Sequence, residues 1–317
     1  MTPLLEAENQ NQPNAPLPAP TGQVPPKSGG QVPPKSGNWD ILTPLLLASG
    51  LGLLLALSWP MPQHLYREYT QFESYYAYGP VIPFLVGFML WHRRAALREA
   101  PRKPCWAALA VLVPSVALLI WSSGQELAWV MDNSFLLCVW SGIWLVMGTR
   151  WTRTAAFPLA FLLWMAPLPG PLLNDATYSS QHFCTQAAAQ MLHIFGFHPV
   201  INGSIIQLDN FSLFVDVPCS GLKNLLSLMM ISATFAYLLD GRPARRIALF
   251  LFSVPLSIAV NVTRLTLLGV VGECFGTHAA HVFHDWDGLL SLVLGVTALF
   301  WFARRIGCRT FAGWPLF

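Results

Sequence analysis

Three residues in the second half of the chain have side chains suited to acyl transfer: Cys219, Arg264 and His284. A thiolate attacks a carbonyl carbon, an imidazole moves a proton between thiol and leaving amine, and a guanidinium stabilises a developing oxyanion. Each residue alone has a plainer interpretation. Cys219 can be a small residue at a helix start, Arg264 a snorkelling or structural cation, and His284 an interfacial side chain. The acyl-transfer hypothesis therefore requires the three side chains to meet.

The segment around Cys219 is typical of the start of a helix. It reads DVPCSGLKN from Asp216, and Pro218 fits the first turn. The unpaired N–H groups and positive dipole end of a helix N-terminus favour a thiolate. We therefore expect Cys219 to be the nucleophile, with Ser220 and Gly221 in supporting positions.

Arg264 lies inside an apolar segment, where an arginine costs roughly 2.5–3.5 kcal/mol on insertion scales. It is therefore expected to face the protein interior or water. Asn261 lies one helical turn earlier on the same face and is expected to hold the guanidinium. Asp285 or Asp287 can orient His284.

The elements that carry these residues are predicted to be membrane helices. Apolar residues make up 54% of the 317 residues and charged residues 10%, against about 25% charged in soluble domains. The apolar residues form long blocks, as expected of a chain in lipid. We predict an all-α polytopic membrane protein with about eight spans, at residues 41–59, 78–91, 106–122, 127–147, 155–168, 219–239, 247–271 and 289–303.

Two further elements are predicted between the fifth and sixth spans. Residues 174–196 mix Ser, Gln, His and Ala, which is typical of an amphipathic helix at the membrane interface. Residues 199–217 alternate apolar and polar side chains, with a turn at Asp209-Asn210, which predicts a small β-hairpin outside the lipid.

Basic residues indicate which loops face the cytoplasm. They form clusters after the second, fourth, sixth and eighth spans, which all fall on one side of the membrane if there are eight crossings, with both termini in the cytoplasm. The clusters are Arg93, Arg94, Arg98, Arg102 and Lys103; Arg150 and Arg153; Arg242, Arg245 and Arg246; and Arg304, Arg305 and Arg309. This topology places Cys219, Arg264 and His284 on the extracytoplasmic face of the cytoplasmic (inner) membrane. Cys184 and Cys274 fall there too, where a disulfide between them is possible.

Residues 1–40 form a separate region, rich in Pro, Gly, Gln and Asn, in which GQVPPKSG occurs twice in tandem. We expect a disordered tether, with a polyproline ligand for a partner as the alternative. The transmembrane domain then covers 41–305, and 306–317 form a short tail.

The chain lacks a basic stripe with interleaved aromatic residues, which argues against nucleic acid as a partner. Its six cysteines show no metal-site spacing, and no metal or cofactor is implied.

Three blocks of the sequence resemble the signature blocks of the exosortase and archaeosortase family. They are Cys-Ser-Gly-Leu at 219–222, Asn-x-x-Arg at 261–264 and His-x-x-x-Gly at 284–288. The run from Phe157 to Pro169 resembles the family's span before its extracytoplasmic segment, and the resemblance covers about 41–305. Pro218 departs from the small residue that the family more often has there.

The resemblance implies a membrane cysteine protease or transpeptidase. Such proteins are thought to cleave exported proteins at a C-terminal sorting signal, typically PEP-CTERM, which joins a short motif, one transmembrane helix and a basic tail. The partners would be these substrates and membrane lipid. By resemblance Cys219 is the nucleophile, Arg264 the transition-state cation and His284 the acid and base.

Two other classes of function stay open from the sequence. One is a transporter or channel component for an envelope polymer or solute, with Arg264, Asp132 and Asn133 along the pathway. The other is a non-catalytic assembly component. Neither requires a reactive thiol, so the chemistry of Cys219 distinguishes catalysis from both.

Overall fold

The structure is a computed structural model whose contacts divide the chain into Met1–Leu42 and Thr43–Phe317. The described residues are 39–57, 59, 61–70, 74–125, 127–239, 241–308, 310–311 and 314–315. The tandem repeat lies outside them, and the disordered tether stays a prediction.

Helices dominate the described residues. They are α1 (Trp39–Leu57), α2 (Met61–Thr70), α3 (Ile82–His92), α4 (Arg94–Glu99), α5 (Leu109–Ser123), α6 (Ala128–Met147), α7 (Thr149–Thr154), α8 (Ala156–Phe161), α9 (Gly170–Ile194), α10 (Leu222–Leu238) and α11 (Pro243–Arg305). Short 3₁₀ turns precede or extend several of them, at Gly79–Val81, Trp106–Ala108, Leu162–Met165 and Val217–Ser220.

By length and composition, three helices of the described chain can cross a membrane: Trp106–Ser123, Ala128–Met147 and Pro243–Arg305. The number rises to five if each of two pairs bent by 80° forms one span, namely Leu45–Ala56 with Met61–Thr70 and Ala156–Met165 with Gly170–Ile194. Gly79–His92 and Leu222–Leu238 are shorter apolar helices. The chain is thus a helical membrane protein, and the count of eight spans stays a prediction.

The longest helix, α11, is two helices joined without a loop. Gly276 has φ 85° and ψ 174°, a backbone conformation that is open to glycine and strained for other residues. The predicted spans 247–271 and 289–303 lie on either side of this break. The predicted spans left out residues 272–288. These residues are helical in the structure, since the change of direction at Gly276 needs no separate loop. His284 therefore lies inside a helix rather than before one.

A small antiparallel sheet separates α9 from α10, with strands β1 (Val200–Asn202), β2 (Ile205–Gln207) and β3 (Ser212–Phe214) in the order β1-β2-β3. The predicted turn at Asp209-Asn210 joins β2 to β3, but the sheet has one strand more than the predicted hairpin. Three-residue strands are too short to show a clear alternation. The Glu273 carboxylate of α11 accepts hydrogen bonds from the Asn210 backbone N–H at 3.0 Å and side-chain amide at 2.8 Å, which anchors the sheet near the break.

The core around Cys219 is built by α9, the sheet and α11. The predicted amphipathic helix 174–196 is α9, and it buries a stripe with helical spacing that includes Thr177, Cys184, Ala188 and Leu192. Cys184, Ala188, Leu192 and Cys219 share one buried cluster with residues of β2, β3 and α11. The amphipathic helix therefore packs against the helix that carries Arg264.

Several described elements had no counterpart in the predictions. The helix α2 is short and polar and so lacks an apolar block. The helices α4 and α7 lie in loops predicted between spans, and the strand pair β4 (Thr310–Phe311) and β5 (Trp314–Pro315) lies in the predicted C-terminal tail. Cys184 is buried and Cys274 exposed, and both are free thiols, so the structure does not form the possible disulfide.

Candidate active site

Cys219 lies in the 3₁₀ turn Val217–Ser220, immediately before α10. Its backbone N–H donates to the Asp216 carbonyl at 2.9 Å, and its side chain is 8% exposed. Gly221 follows in the left-handed region, with φ 88°. A Cβ there would lie 2.6 Å from Nδ2 of Asn261, so both the backbone conformation and the close approach of α11 require glycine.

The next residue of the predicted support, Ser220, is fully buried. Its Oγ accepts a hydrogen bond from the Leu222 N–H at 3.4 Å, at the start of α10. This bond satisfies one of the unpaired N–H groups that every helix start leaves. Ser220 thus stabilises the junction between the cysteine turn and α10.

Two residues of α9 hold the cysteine turn in place, and the sequence analysis did not single them out. Ser180 Oγ donates to the Ser220 carbonyl at 2.7 Å, and Gln181 Nε2 donates to the Val215 carbonyl. Backbone carbonyls at a sharp turn need such partners because the turn leaves them outside a regular ladder. The signal available in the sequence was the position of both residues one turn after Thr177, on the stripe that α9 buries.

Asn261 has a different role from the predicted one. Its Nδ2 donates to the Cys219 carbonyl at 3.3 Å, while its Oδ1 is buried without a hydrogen-bond partner among the described residues. The expectation that Asn261 holds the guanidinium was wrong, because the close approach at Gly221 brings its amide to the cysteine backbone. Asn261 therefore positions the nucleophile's own carbonyl.

The Arg264 guanidinium is the centre of the cluster. Its Nε lies 2.8 Å from Oδ2 of Asp287, in an ion pair whose side chains are 11% and 2% exposed. Its Nη2 lies 3.8 Å from the Cys219 sulfur and 3.3 Å from Nδ1 of His284. One guanidinium group therefore contacts the thiol, the imidazole and a buried carboxylate.

Asp287, rather than Asp285, is the acid that faces His284. Asp287 Oδ2 lies 3.2 Å from His284 Nδ1, whereas Asp285 is exposed. Residues 284 and 287 are one helical turn apart and share a face, and residue 285 points elsewhere. In the tautomer whose Nδ1–H donates to Asp287, Nε2 can accept a proton from a thiol, and the 3.3 Å contact between Nδ1 and Arg264 Nη2 is then not a hydrogen bond because both nitrogens carry hydrogen. The imidazole is 35% exposed, so water and substrate can reach it.

The three predicted residues thus meet around one guanidinium, as the acyl-transfer hypothesis requires. The polar residues proposed for a transport pathway find other partners: Asp132 pairs with His64 of α2 at 3.1 Å, and Asn133 donates to the Trp129 carbonyl in its own helix. Among the described residues, no group of three or more His, Cys, Asp or Glu side chains is placed to hold a metal ion.

Comparison with known protein families gives a match. The family model described as transmembrane exosortase covers residues 68–301, more than half of the chain. The chain belongs to the transmembrane exosortase family. Neither the curated proteins nor the solved structures compared with it contain a match.

The part of this exosortase that the family model covers contains the whole candidate site. Cys219, Asn261, Arg264, His284 and Asp287 all lie within it, as do α9, the sheet and α10. The region 1–40 lies before the match and the strand pair β4–β5 after it. The family relation therefore concerns the helices that build the site.

Proposed function

We propose that this exosortase is a membrane cysteine protease or transpeptidase that cleaves C-terminal sorting signals of exported proteins through an acyl-enzyme. The observation that carries the proposal is the Arg264 guanidinium, which lies within 4 Å of both the Cys219 sulfur and the His284 imidazole. A structural arginine needs only its carboxylate partner. An arginine that also contacts a buried thiol and an imidazole suits charge stabilisation during acyl transfer.

In the proposed reaction His284 takes the thiol proton and the Cys219 sulfur attacks the scissile carbonyl carbon. A C–S bond forms, and the carbonyl oxygen becomes an oxyanion that the guanidinium stabilises. The C–N bond then breaks, and the leaving amine receives the proton from His284. The product is a thioester between Cys219 and the exported protein, which water, an amine or a lipid nucleophile resolves. Asp287 keeps the imidazole oriented throughout.

The proposed substrate reaches this site from within the membrane. An apolar groove of about 100 Å³ lies beside Arg264 and Asp287, lined by Leu267, Leu290 and Leu294, which are all exposed. Such a surface suits a substrate helix that lies in lipid next to α11. The distribution of basic residues supports an extracytoplasmic position for the site in the cytoplasmic membrane, with both termini in the cytoplasm.

The test replaces Cys219 by serine and follows an epitope-tagged exported protein that ends in a PEP-like motif, one transmembrane helix and a basic tail. We expect uncleaved substrate to accumulate while the variant is inserted normally. The matched control is Cys274→Ser, since Cys274 is an exposed cysteine on α11, the helix that carries Arg264 and His284. Cleavage by Cys219→Ser at the wild-type rate would overturn the proposal.

A second measurement identifies the bond and separates catalysis from transport or scaffolding. Mass spectrometry of the wild-type protein, quenched with acid during turnover, is expected to find a thioester adduct on Cys219. The mass of the attached fragment defines the cleaved position. Cleavage with no adduct, and with no effect of alkylating Cys219, would exclude a covalent mechanism through this thiol.

A further inference from the structure

An apolar groove lies at the end of α10 that is remote from Cys219. It runs between α8, the 3₁₀ turn Leu162–Met165, α10 and the first turns of α11, and has a volume of about 400 Å³. Its walls are mostly aromatic, with Phe157, Phe161, Trp164 and Phe250 among them. The volume falls within the range of roughly 300–1,000 Å³ that is usual for ligand pockets.

Two buried hydrogen-bond donors line this groove. The Tyr237 hydroxyl and Nε of Arg246 both lack a hydrogen-bond partner among the described residues. A buried donor without a partner costs roughly 1–3 kcal/mol, so such groups are usually satisfied in the functional state. Two of them at one end of one groove indicate a ligand that brings acceptor atoms.

The described residues at this end of the groove carry positive charge. Arg246 lines the groove, and the Arg93 guanidinium lies 5.2 Å from the centre of the Tyr237 ring. Tyr237 itself is fixed by stacking on Phe157, with ring centres 4.6 Å apart and planes 4° apart. The ion pairs of the described residues are formed by His64, Arg264 and His284, so neither Arg93 nor Arg246 has a carboxylate partner there.

The basic groups lie near the end of α10 that is remote from Cys219, at a depth where a lipid headgroup would be expected. Cys219 precedes α10, and Tyr237 is its second-last residue. At 1.5 Å per residue, Tyr237 lies roughly 20 Å along the helix from its first residue, comparable with a large part of a bilayer core. Basic groups at the mouth of an apolar groove between membrane helices are the arrangement that anionic lipid headgroups bind.

We propose that this groove binds an anionic phospholipid, with its phosphate on Arg246, Arg93 and the Tyr237 hydroxyl and an acyl chain along the aromatic wall. The other candidate occupant is the helix of a protein substrate. The charge of the groove argues against it, because the basic tail of a sorting signal would be repelled by two arginines that have no carboxylate partner within the described part of the chain. The inference needs no catalytic activity and stands apart from the proposed function.

The experiment uses the full-length protein, purified in detergent and equilibrated with equal amounts of phosphatidylglycerol and phosphatidylcholine of the same acyl chains. Native mass spectrometry counts the lipids that stay bound. We expect the wild type to retain phosphatidylglycerol at least about tenfold over phosphatidylcholine. Losing one charge-assisted contact in Arg246→Gln is expected to weaken phosphatidylglycerol binding about tenfold. Tyr237→Phe, which keeps the ring stack, is expected to weaken it several-fold.

The matched control is Arg304→Gln, which removes an exposed arginine from another basic cluster. It is expected to bind as the wild type does. Gel-filtration profiles and helical circular dichroism of each variant establish that it is folded. Equal retention of the two lipids by the wild type would overturn the proposal, as would equal losses in Arg246→Gln and Arg304→Gln. Retention of a sorting-signal helix peptide in place of phosphatidylglycerol would overturn it too and would assign the groove to substrate.

Discussion

The two ends of α10 both carry an arginine beside the helix, but the arginines are held in opposite ways. At the Cys219 end, Arg264 is paired with the buried carboxylate of Asp287 at 2.8 Å and contacts the thiol and the imidazole. At the other end, Arg246 has no carboxylate partner among the described residues. The protein itself positions the first arginine, whereas for the second we propose an external anion as the partner.

This difference indicates two kinds of task. A cation that must stabilise a transient charge works best when it is fixed before the reaction, because no reorganisation is then needed. A cation that binds a permanent anion gains from being unpaired, because it has no internal partner to give up. Substitutions at the two ends are therefore expected to differ in whether they affect folding.

The largest effect is expected for Asp287→Asn. Removing one partner of a buried ion pair leaves an uncompensated charge and typically costs about 3–5 kcal/mol. Arg246→Gln is the matched change at the other end and is expected to leave the free energy of unfolding unchanged or to raise it by up to about 1 kcal/mol, because it removes a buried donor and breaks no ion pair of the described residues. Thermal unfolding in one detergent, followed by circular dichroism, measures both. Similar losses in the two variants would contradict the comparison.

Gly221→Ala is expected to cost about 1–3 kcal/mol and to reduce substrate cleavage. The new Cβ would meet the Asn261 amide at 2.6 Å in a backbone conformation that alanine rarely adopts. The control is Gly87→Ala in α3, where nothing lies within 4 Å of the added atom. There the change is expected to be neutral or stabilising by up to about 1 kcal/mol, because alanine favours a helix over glycine. Unchanged cleavage by Gly221→Ala would show that the Asn261 contact does not position Cys219.

Ser180→Ala is expected to cost about 0.5–1.5 kcal/mol, since it removes the hydrogen bond to the Ser220 carbonyl. It is also expected to lower the cleavage rate, because the turn that carries Cys219 loses its tie to α9. Ser123→Ala removes a hydroxyl that bonds only within its own helix, to the Ile120 carbonyl, and is expected to leave cleavage unchanged. Equal cleavage rates in the two variants would show that the Ser180 hydrogen bond does not position Cys219 and that α9 contributes only by packing.

The smallest effect is expected for Tyr237→Phe, and its sign depends on lipid. In detergent without lipid, deleting a buried and unbonded hydroxyl is expected to leave stability unchanged or to raise it by up to about 1 kcal/mol. With phosphatidylglycerol present, the wild type is expected to gain more stability than the variant, because a ligand stabilises the state it binds. Unfolding temperatures with and without the lipid measure this. An equal rise of the unfolding temperature in both proteins would show that the Tyr237 hydroxyl does not bind the lipid.

The meeting of Cys219, Arg264 and His284 could be predicted from sequence because each residue is costly or unusual where it stands. An arginine in an apolar block must face a polar partner, and that requirement limits the possible arrangements. The choice between Asp285 and Asp287 could not be made, since it depends on a helix that runs through residues 281–289. The contacts of Ser180, Gln181 and Asn261 escaped prediction because they join backbone carbonyls at turns, whose positions depend on long-range packing.

The long apolar helices and the amphipathic α9 could likewise be predicted, because their periodicity and length are local properties of the sequence. The third strand, the short α2 and the continuous run through 272–288 could not. Each of these depends on tertiary contacts, such as the bond between Glu273 and Asn210, rather than on residue pattern. The number of crossings was predicted from the apolar blocks and the basic clusters, and it stays a prediction.

Because of the break at Gly276, the geometry of the site depends on the number of residues between this glycine and Arg264 on one side and Asp287 on the other. Arg264 precedes this glycine by twelve positions and Asp287 follows it by eleven, so the two arms meet only because their lengths nearly agree. Inserting one residue into either arm would turn its far side chains by about 100° and shift them by about 1.5 Å. Sequence length between residues 264 and 287 is therefore as restricted as the identity of the side chains.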